Sequence, residues 1–182
     1  SIVDVASKVA TLVPNSVGFH GLAWSPDGTW IAGSLGQNIW KIHPDGSNLT
    51  EVLDRPDQQL NPSWSPDGSS IAFEDWQPGT NADISVVPAG GGAVTNLTHS
   101  PAIDRYPAWS PSGKRIAFVS TRHFGGLFTM ASDGSDVVEN PGRFQGGTID
   151  QPDWQPAQVT LTPSRTVVDS GGSVRLQVRV VN

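Results

Sequence analysis

The chain has 182 residues, 36% of them hydrophobic and only 15% charged, with 20 glycines, 15 prolines and no cysteine. Eleven basic residues against 17 acidic ones leave a net charge of −6 and exclude the concentrated cationic face that nucleic acid or an anionic membrane surface requires. The missing cysteine excludes a disulfide framework, a thiolate nucleophile and a Cys-based zinc site, and no apolar run approaches the roughly 20 residues of a membrane-spanning helix.

Gly and Pro make up about a fifth of the chain, which suits many tight turns and an all-β protein. The first predicted element is a strand within residues 1–5 (SIVDV). Because the chain opens inside a strand-like pattern, an excised N-terminus and a lost leader are expected. From residue 21 onward a unit recurs: GLAWSPDGTWIAG at Gly21, NPSWSPDGSSIAF at Asn61, YPAWSPSGKRIAF at Tyr106, and a degenerate QPDWQP at Gln151. Trp24, Trp64, Trp109 and Trp154 stand 40, 45 and 45 residues apart, the length of one four-stranded propeller blade.

Each unit carries two further landmarks. Ile-Ala follows the Trp at Ile31, Ile71 and Ile116, and an apolar strand with a Gly-rich turn comes next, at Ile39, Ile84 and Leu127. The opening IVDVASK fits this last landmark without its glycine, so the N-terminus reads as the outer half of an earlier blade. Ser-Pro-Asp-Gly places Pro at the second and Gly at the fourth position of a type I turn, joining the Trp strand to the Ile-Ala strand as a hairpin. Alternation then sends Trp24, Trp64, Trp109, Trp154, Ile31, Ile71 and Ile116 into the spaces between blades as the structural core of the repeat. An isolated blade cannot bury both faces, so each needs neighbours. Trp30, Trp40 and Trp76 lie off this register and are the better candidates for exposure.

The expected layout is a partial propeller over residues 1–156. It comprises a half blade at 1–14, full blades at 20–54, 60–98 and 105–140, and a partial blade at 149–156. Residues 157–182 lack Trp and alternate near their end (Val174, Leu176, Val178, Val180).

Catalytic motifs are missing: there is no GxSxG elbow, HExxH helix, phosphate loop or EF-hand loop. His20, His43, His99 and His123 are scattered, and Glu74 and Asp75, adjacent on one strand, point to opposite faces and form no dyad. No cofactor and no metal site is expected. Asn48-Leu-Thr50 and Asn96-Leu-Thr98 match the glycosylation pattern, but Leu-Thr belongs to the repeat itself. The positions four and three before each Trp are more polar and varied than the rest. They should begin the innermost strands and gather at one mouth of the channel. His20, Asn61, Arg105, Tyr106, Asp150 and Gln151 are therefore the candidate ligand-binding residues, for a ligand, an ion or a peptide tail, against the plainer reading that they hydrate the channel.

WSPDG-x-x-IAF, an apolar strand and a DG turn, in three copies in register across residues 20–140, resemble the TolB-type propeller repeat, a relative of the WD-type repeat. The resemblance implies a toroid of about six blades used mainly as a docking surface in the periplasm or outside the cell. Val159-Thr-Leu-Thr-Pro and the SGGSV turn resemble the first strands of a bacterial Ig-like or adhesion-type domain, cut short here because a full sandwich needs around 100 residues. Together these imply a non-catalytic binding or scaffold module of a secreted or cell-surface protein, with protein partners. One alternative is a structural subunit of an extracellular assembly, formed by strand exchange between copies at open sheet edges. Another is the propeller that gates a serine peptidase, which would continue into an α/β-hydrolase domain.

Overall fold

A computed structural model describes residues 2–3, 10–77, 81–123, 125–140 and 152–154. All regular structure among them is β. A two-stranded pair comes first, β1 (Ile2–Val3) with β2 (Ala10–Thr11). Three four-stranded antiparallel sheets follow in sequence order. The first holds β3 (His20–Trp24), β4 (Ile31–Leu35), β5 (Asn38–Ile42) and β6 (Thr50–Leu53). The second holds β7 (Gln58–Trp64), β8 (Ser70–Trp76), β9 (Ala82–Pro88) and β10 (Thr95–Asn96), and the third β11 (Asp104–Trp109), β12 (Arg115–Ser120), β13 (Gly126–Ala131) and β14 (Val138–Asn140). β3 packs beside β7 and β7 beside β11, so the first strand of each sheet forms the inner edge of a fan of blades. The all-β propeller architecture expected from the Trp spacing is the architecture present.

Local chemistry builds each inner hairpin. In the first, Gly28 N–H donates to Ser25 O at 2.9 Å and closes the turn, with Gly28 at φ +71°. Asp27 Oδ1 accepts from Ser25 Oγ (2.6 Å) and from the backbone N–H of Thr29 (3.0 Å), and Ser25 Oγ accepts from Trp30 N–H. Asp67 repeats the pattern with Ser65 and Ser69. In the third repeat Ser112 replaces the aspartate and the carboxylate-centred closure is lost, yet Gly113 N–H still reaches Ser110 O.

The core lies between sheets. Ala32, Ile39, Val52 and Leu53 of the first blade meet Trp64, Ile71, Phe73 and Val87 of the second. Ile84 and Leu97 meet Ile116, Phe118, Phe128 and Met130 of the third. Hydrogen bonds register one blade on the next: Trp64 Nε1–H donates to Ala23 O (3.2 Å), and Trp154 Nε1–H makes the equivalent bond to Ala108 O (2.9 Å). At the second junction Ser63 stands where the others have Ala, and its hydroxyl accepts from the backbone N–H of Trp109 (3.2 Å). The Trp109 indole N–H is buried without a partner.

Trp24 departs from the core role expected of it. Trp64 is 8% exposed, but Trp24 is 49% exposed and its strand neighbour Leu22 53%. The reason is geometric. Each of these indoles packs on the inner strand of the preceding blade, and no such strand faces β3 among the described residues. β1 covers only the outer part of that face, where Ile2 packs with Val13, Phe19, Ile31 and Ile42. The partial blade at 149–156 is described only at residues 152–154. The Ig-like strands expected after 156 lie outside the described residues.

Candidate binding site at the inner-strand mouth

Each inner strand opens with a β-bulge. The pairing register slips between His20 and Ala23, between Leu60 and Ser63, and between Arg105 and Ala108. Inside every slip the residue three before the Trp is left-handed: Gly21 at φ +59°, Asn61 at +52° and Tyr106 at +55°. Pro62 and Pro107 explain two of the slips, because proline offers no N–H to the ladder and disfavours the right-handed region for the residue before it. Gly and Asn take up a left-handed backbone at little penalty. Tyr106 does so at roughly 1–2 kcal/mol of strain.

The bulges bring the mouth together. A Cβ on Gly21 would lie 2.8 Å from Asn61 Oδ1 and 3.1 Å from Asn61 Cα, so glycine there lets the first two bulges touch. Glu74, on β8 and 1% exposed, ties the second bulge to the third. Its Oε1 accepts from Asn61 Nδ2 (2.7 Å) and from the backbone N–H of Tyr106 (2.9 Å), and its Oε2 accepts from Trp76 Nε1 (3.2 Å). The Arg105 guanidinium lies over the Trp76 ring at 4.6 Å, with its Nε buried and unpartnered. Three donors from two blades converge on Glu74, so its carboxylate fastens the second blade to the third. Asp75 faces the other way, onto Arg55 Nη1 at 2.8 Å.

Of the residues singled out from sequence, Asn61, Arg105 and Tyr106 thus share one cluster. His20 begins β3 as an exposed side chain whose Nδ1 lies 3.3 Å from Gly18 O, outside the Glu74 network. Asp150 and Gln151 lie outside the described residues. Glu74 itself, the hub, was not among the candidates. Its signal was a single acid in an otherwise uncharged register, where the other repeats have Ser34 and Val119.

The opposite end, carrying the Ser-Pro-Asp-Gly turns, has other electrostatics. Hydroxyl and backbone donors of Ser25 and Thr29 hold the Asp27 carboxyl down to about 2, and those of Ser65 and Ser69 do the same for Asp67. Ser47 and Ser135 lower Asp45 and Asp133 in the same way. A cleft of about 510 Å³ separates the turns of the first two blades. Lys41 crosses it, its ammonium 4.6 Å from the Trp30 ring centre and donating to Ala89 O at 2.7 Å, and burial lowers its pKa. Trp30, Trp40 and Trp76 are all half-buried. Back at the mouth end, Asp104 is fully buried on Arg122 Nη2 (2.8 Å), and burial raises its pKa from the ordinary aspartate value.

Among the described residues no three His, Asp or Glu side chains converge as metal ligands, and no helix is long and apolar enough to cross a membrane. No curated protein sequence matches the chain. Among solved structures, a TolB-like protein of Agrobacterium tumefaciens is 29% identical, with a TM-score of 0.57 over 64% of this chain and 47% of that one. TolB of Acinetobacter baumannii is 19% identical, with a TM-score of 0.62 over 74% of this chain and 35% of that one. The tricorn protease is 14% identical, with a TM-score of 0.56 over 71% of this chain and 15% of that one, and shares the fold alone. This chain thus spans less than half the length of either TolB structure. The family model for the TolB beta propeller domain matches residues 23–173, most of the chain, and the protein belongs to that family.

Proposed function

We infer that the chain is a non-catalytic protein-binding module that works in the periplasm or outside the cell, with the inner-strand mouth as its docking end. The observation that carries this reading is the division of labour within the repeat. Ile31, Ile71 and Ile116 are spent on the core, while Asn61, Arg105 and Tyr106 vary and are held at one mouth by bulges and by Glu74. A rigid mouth with a stacked Arg-Trp pair suits protein recognition, where such residues anchor interfaces. Membership of the TolB family supports the periplasmic setting. The test is capture from an envelope extract by the immobilised chain. Arg105→Ala and Tyr106→Ala should abolish retention of the captured protein, while Lys114→Ala and Asp133→Ala at the turn end should leave it intact. Equal retention by all four variants, or no captured protein, refutes the reading.

One observation favours a second reading, an assembly subunit. β3 presents Leu22 and Trp24 half exposed, on a face that the other blades cover with a neighbour's inner strand. Strand exchange between copies would fill that face. Sedimentation at micromolar concentration should then show a concentration-dependent oligomer that Trp24→Ala weakens, and a clean monomer ends this reading.

A further inference from the structure

A pocket of about 440 Å³ opens on the flank of the mouth end, where the linker leaving β6 meets the face of the second blade. Leu53 and Val94 form its apolar side, and Asp54, Arg55 and Asp75 its polar side. Asp75 is the unusual member. It is 2% exposed, yet only its Oδ2 is used, accepting from Arg55 Nη1 (2.8 Å) and Ser85 Oγ (3.2 Å). Its Oδ1 is buried with no partner at all. A buried acceptor left unmade is costly, and native proteins rarely keep one without a reason.

The local charge is also unbalanced. Arg55 is a single cation among Asp54, Asp57 (3.6 Å from its Nη2) and Asp75, which leaves two carboxylate charges in excess. A divalent metal is a poor guest, since it would need several converging oxygens and the described residues offer no such set. The pocket has instead the two-part chemistry of a long cationic side chain, with an apolar wall for methylenes and a carboxylate end for the charge.

We propose that this pocket receives a lysine or arginine side chain of a protein partner, its cationic head on Asp75 and Asp54 and its stem against Leu53 and Val94. The carboxylate torsion of Asp is broad, so Asp75 shares its two oxygens between Arg55 and the guest. The proposal rests on the protein-binding reading only in taking the guest to be a protein side chain. Its site is separate from Arg105 and Tyr106.

The test uses the 182-residue chain and two small probes, Nα-acetyl-lysine amide and Nα-acetyl-norleucine amide, which keeps the four-carbon stem and lacks the ammonium, followed through the methyl resonances of Leu53 and Val94. The lysine probe should shift both residues saturably and the norleucine probe should not. Asp75→Asn should weaken binding about tenfold and Asp54→Asn about threefold. Asp27→Asn, at the turn end, should change nothing. If Asp75→Asn fails to fold, the exposed Asp54→Asn decides. Equal shifts from the two probes, unchanged affinity in Asp54→Asn, or an equal drop in Asp27→Asn overturns the proposal. Intact probe binding combined with failed envelope capture would sink the docking mouth and leave this pocket standing.

Discussion

Trp24 and Trp64 are the same residue of the same repeat in two surroundings, which makes them a controlled measurement of what blade stacking contributes. Trp64 is buried among Ala32, Leu53, Ile71 and Phe73 and donates its indole N–H to Ala23 O, while half of Trp24 faces solvent. Truncating a buried Trp to Ala costs about 3–5 kcal/mol. With a urea m-value of roughly 2 kcal/mol/M for a chain of this size, Trp64→Ala should lower the unfolding midpoint by about 1.5–2.5 M. Trp24→Ala forfeits only the buried half of its area, and its shift should be no more than about half as large. The phenylalanine variants isolate the hydrogen bond. Trp64→Phe keeps a ring but removes the indole's bond to the Ala23 carbonyl, at about 0.5–1.5 kcal/mol, whereas Trp24→Phe should stay within about 0.5 kcal/mol of wild type. Urea titrations followed by far-UV circular dichroism avoid using the altered residue as the probe. Equal losses for the two alanine variants would refute the reasoning, because they would mean that burial between blades is not what these indoles supply.

Glu74→Gln sets an amide N–H₂ among three donors that need acceptors, and should cost about 1–3 kcal/mol in denaturant titrations; a neutral result would show that the mouth is not tied through this carboxylate. Gly134→Ala should be far worse than Gly36→Ala, because both glycines have positive φ but a Cβ at 134 would meet Leu97 O at 2.7 Å while 36 faces open space; thermal midpoints separate the two. Acid should unfasten the turns. The folded-state pKa of Asp27 and Asp67 lies near 2, below the unfolded value of 3.8, so their contribution is present above pH 4 and lost as pH falls from about 4 to about 2. A double Asp27→Asn, Asp67→Asn variant should show a flatter thermal midpoint across that window than wild type. Asp104 works in the opposite sense. Burial raises its folded pKa, so the stability associated with it falls as pH climbs above 3.8.

What could be read from the sequence is what a period can carry. The Trp spacing, the Ile-Ala pairs and the Pro-Asp-Gly turns are local or strictly repeated, and each implies a conformation by itself. That is why three four-stranded sheets were foreseeable. The position three before each Trp was legible as variable and polar. Its left-handed backbone was not legible, since a residue before proline ordinarily favours extended backbone, and Pro62 and Pro107 mark only a break in the ladder. The tie from Glu74 to Tyr106 N–H, 32 residues apart, was not legible. Nor was the Arg55–Asp75 pair, 20 apart. Such bonds depend on the height at which one blade stacks on the next, and no periodicity encodes that height.

The same distinction bears on where function can sit. Residues that recur in every unit are constrained by packing and are poor places for specificity, since changing one loosens a junction. Glu74, Arg55, Asp75 and Arg105 occur once each in the register, and every one of them lies at the mouth end. At the turn end the chemistry recurs in the first two blades, where Asp27 and Asp67 each accept from the hydroxyl and backbone donors of their own loops. An end that holds an unpartnered Asp75 Oδ1 and an unpartnered Arg105 Nε has capacity left over. In a fold whose blades are otherwise interchangeable, that leftover capacity is the physical ground for placing recognition at the mouth and its flank.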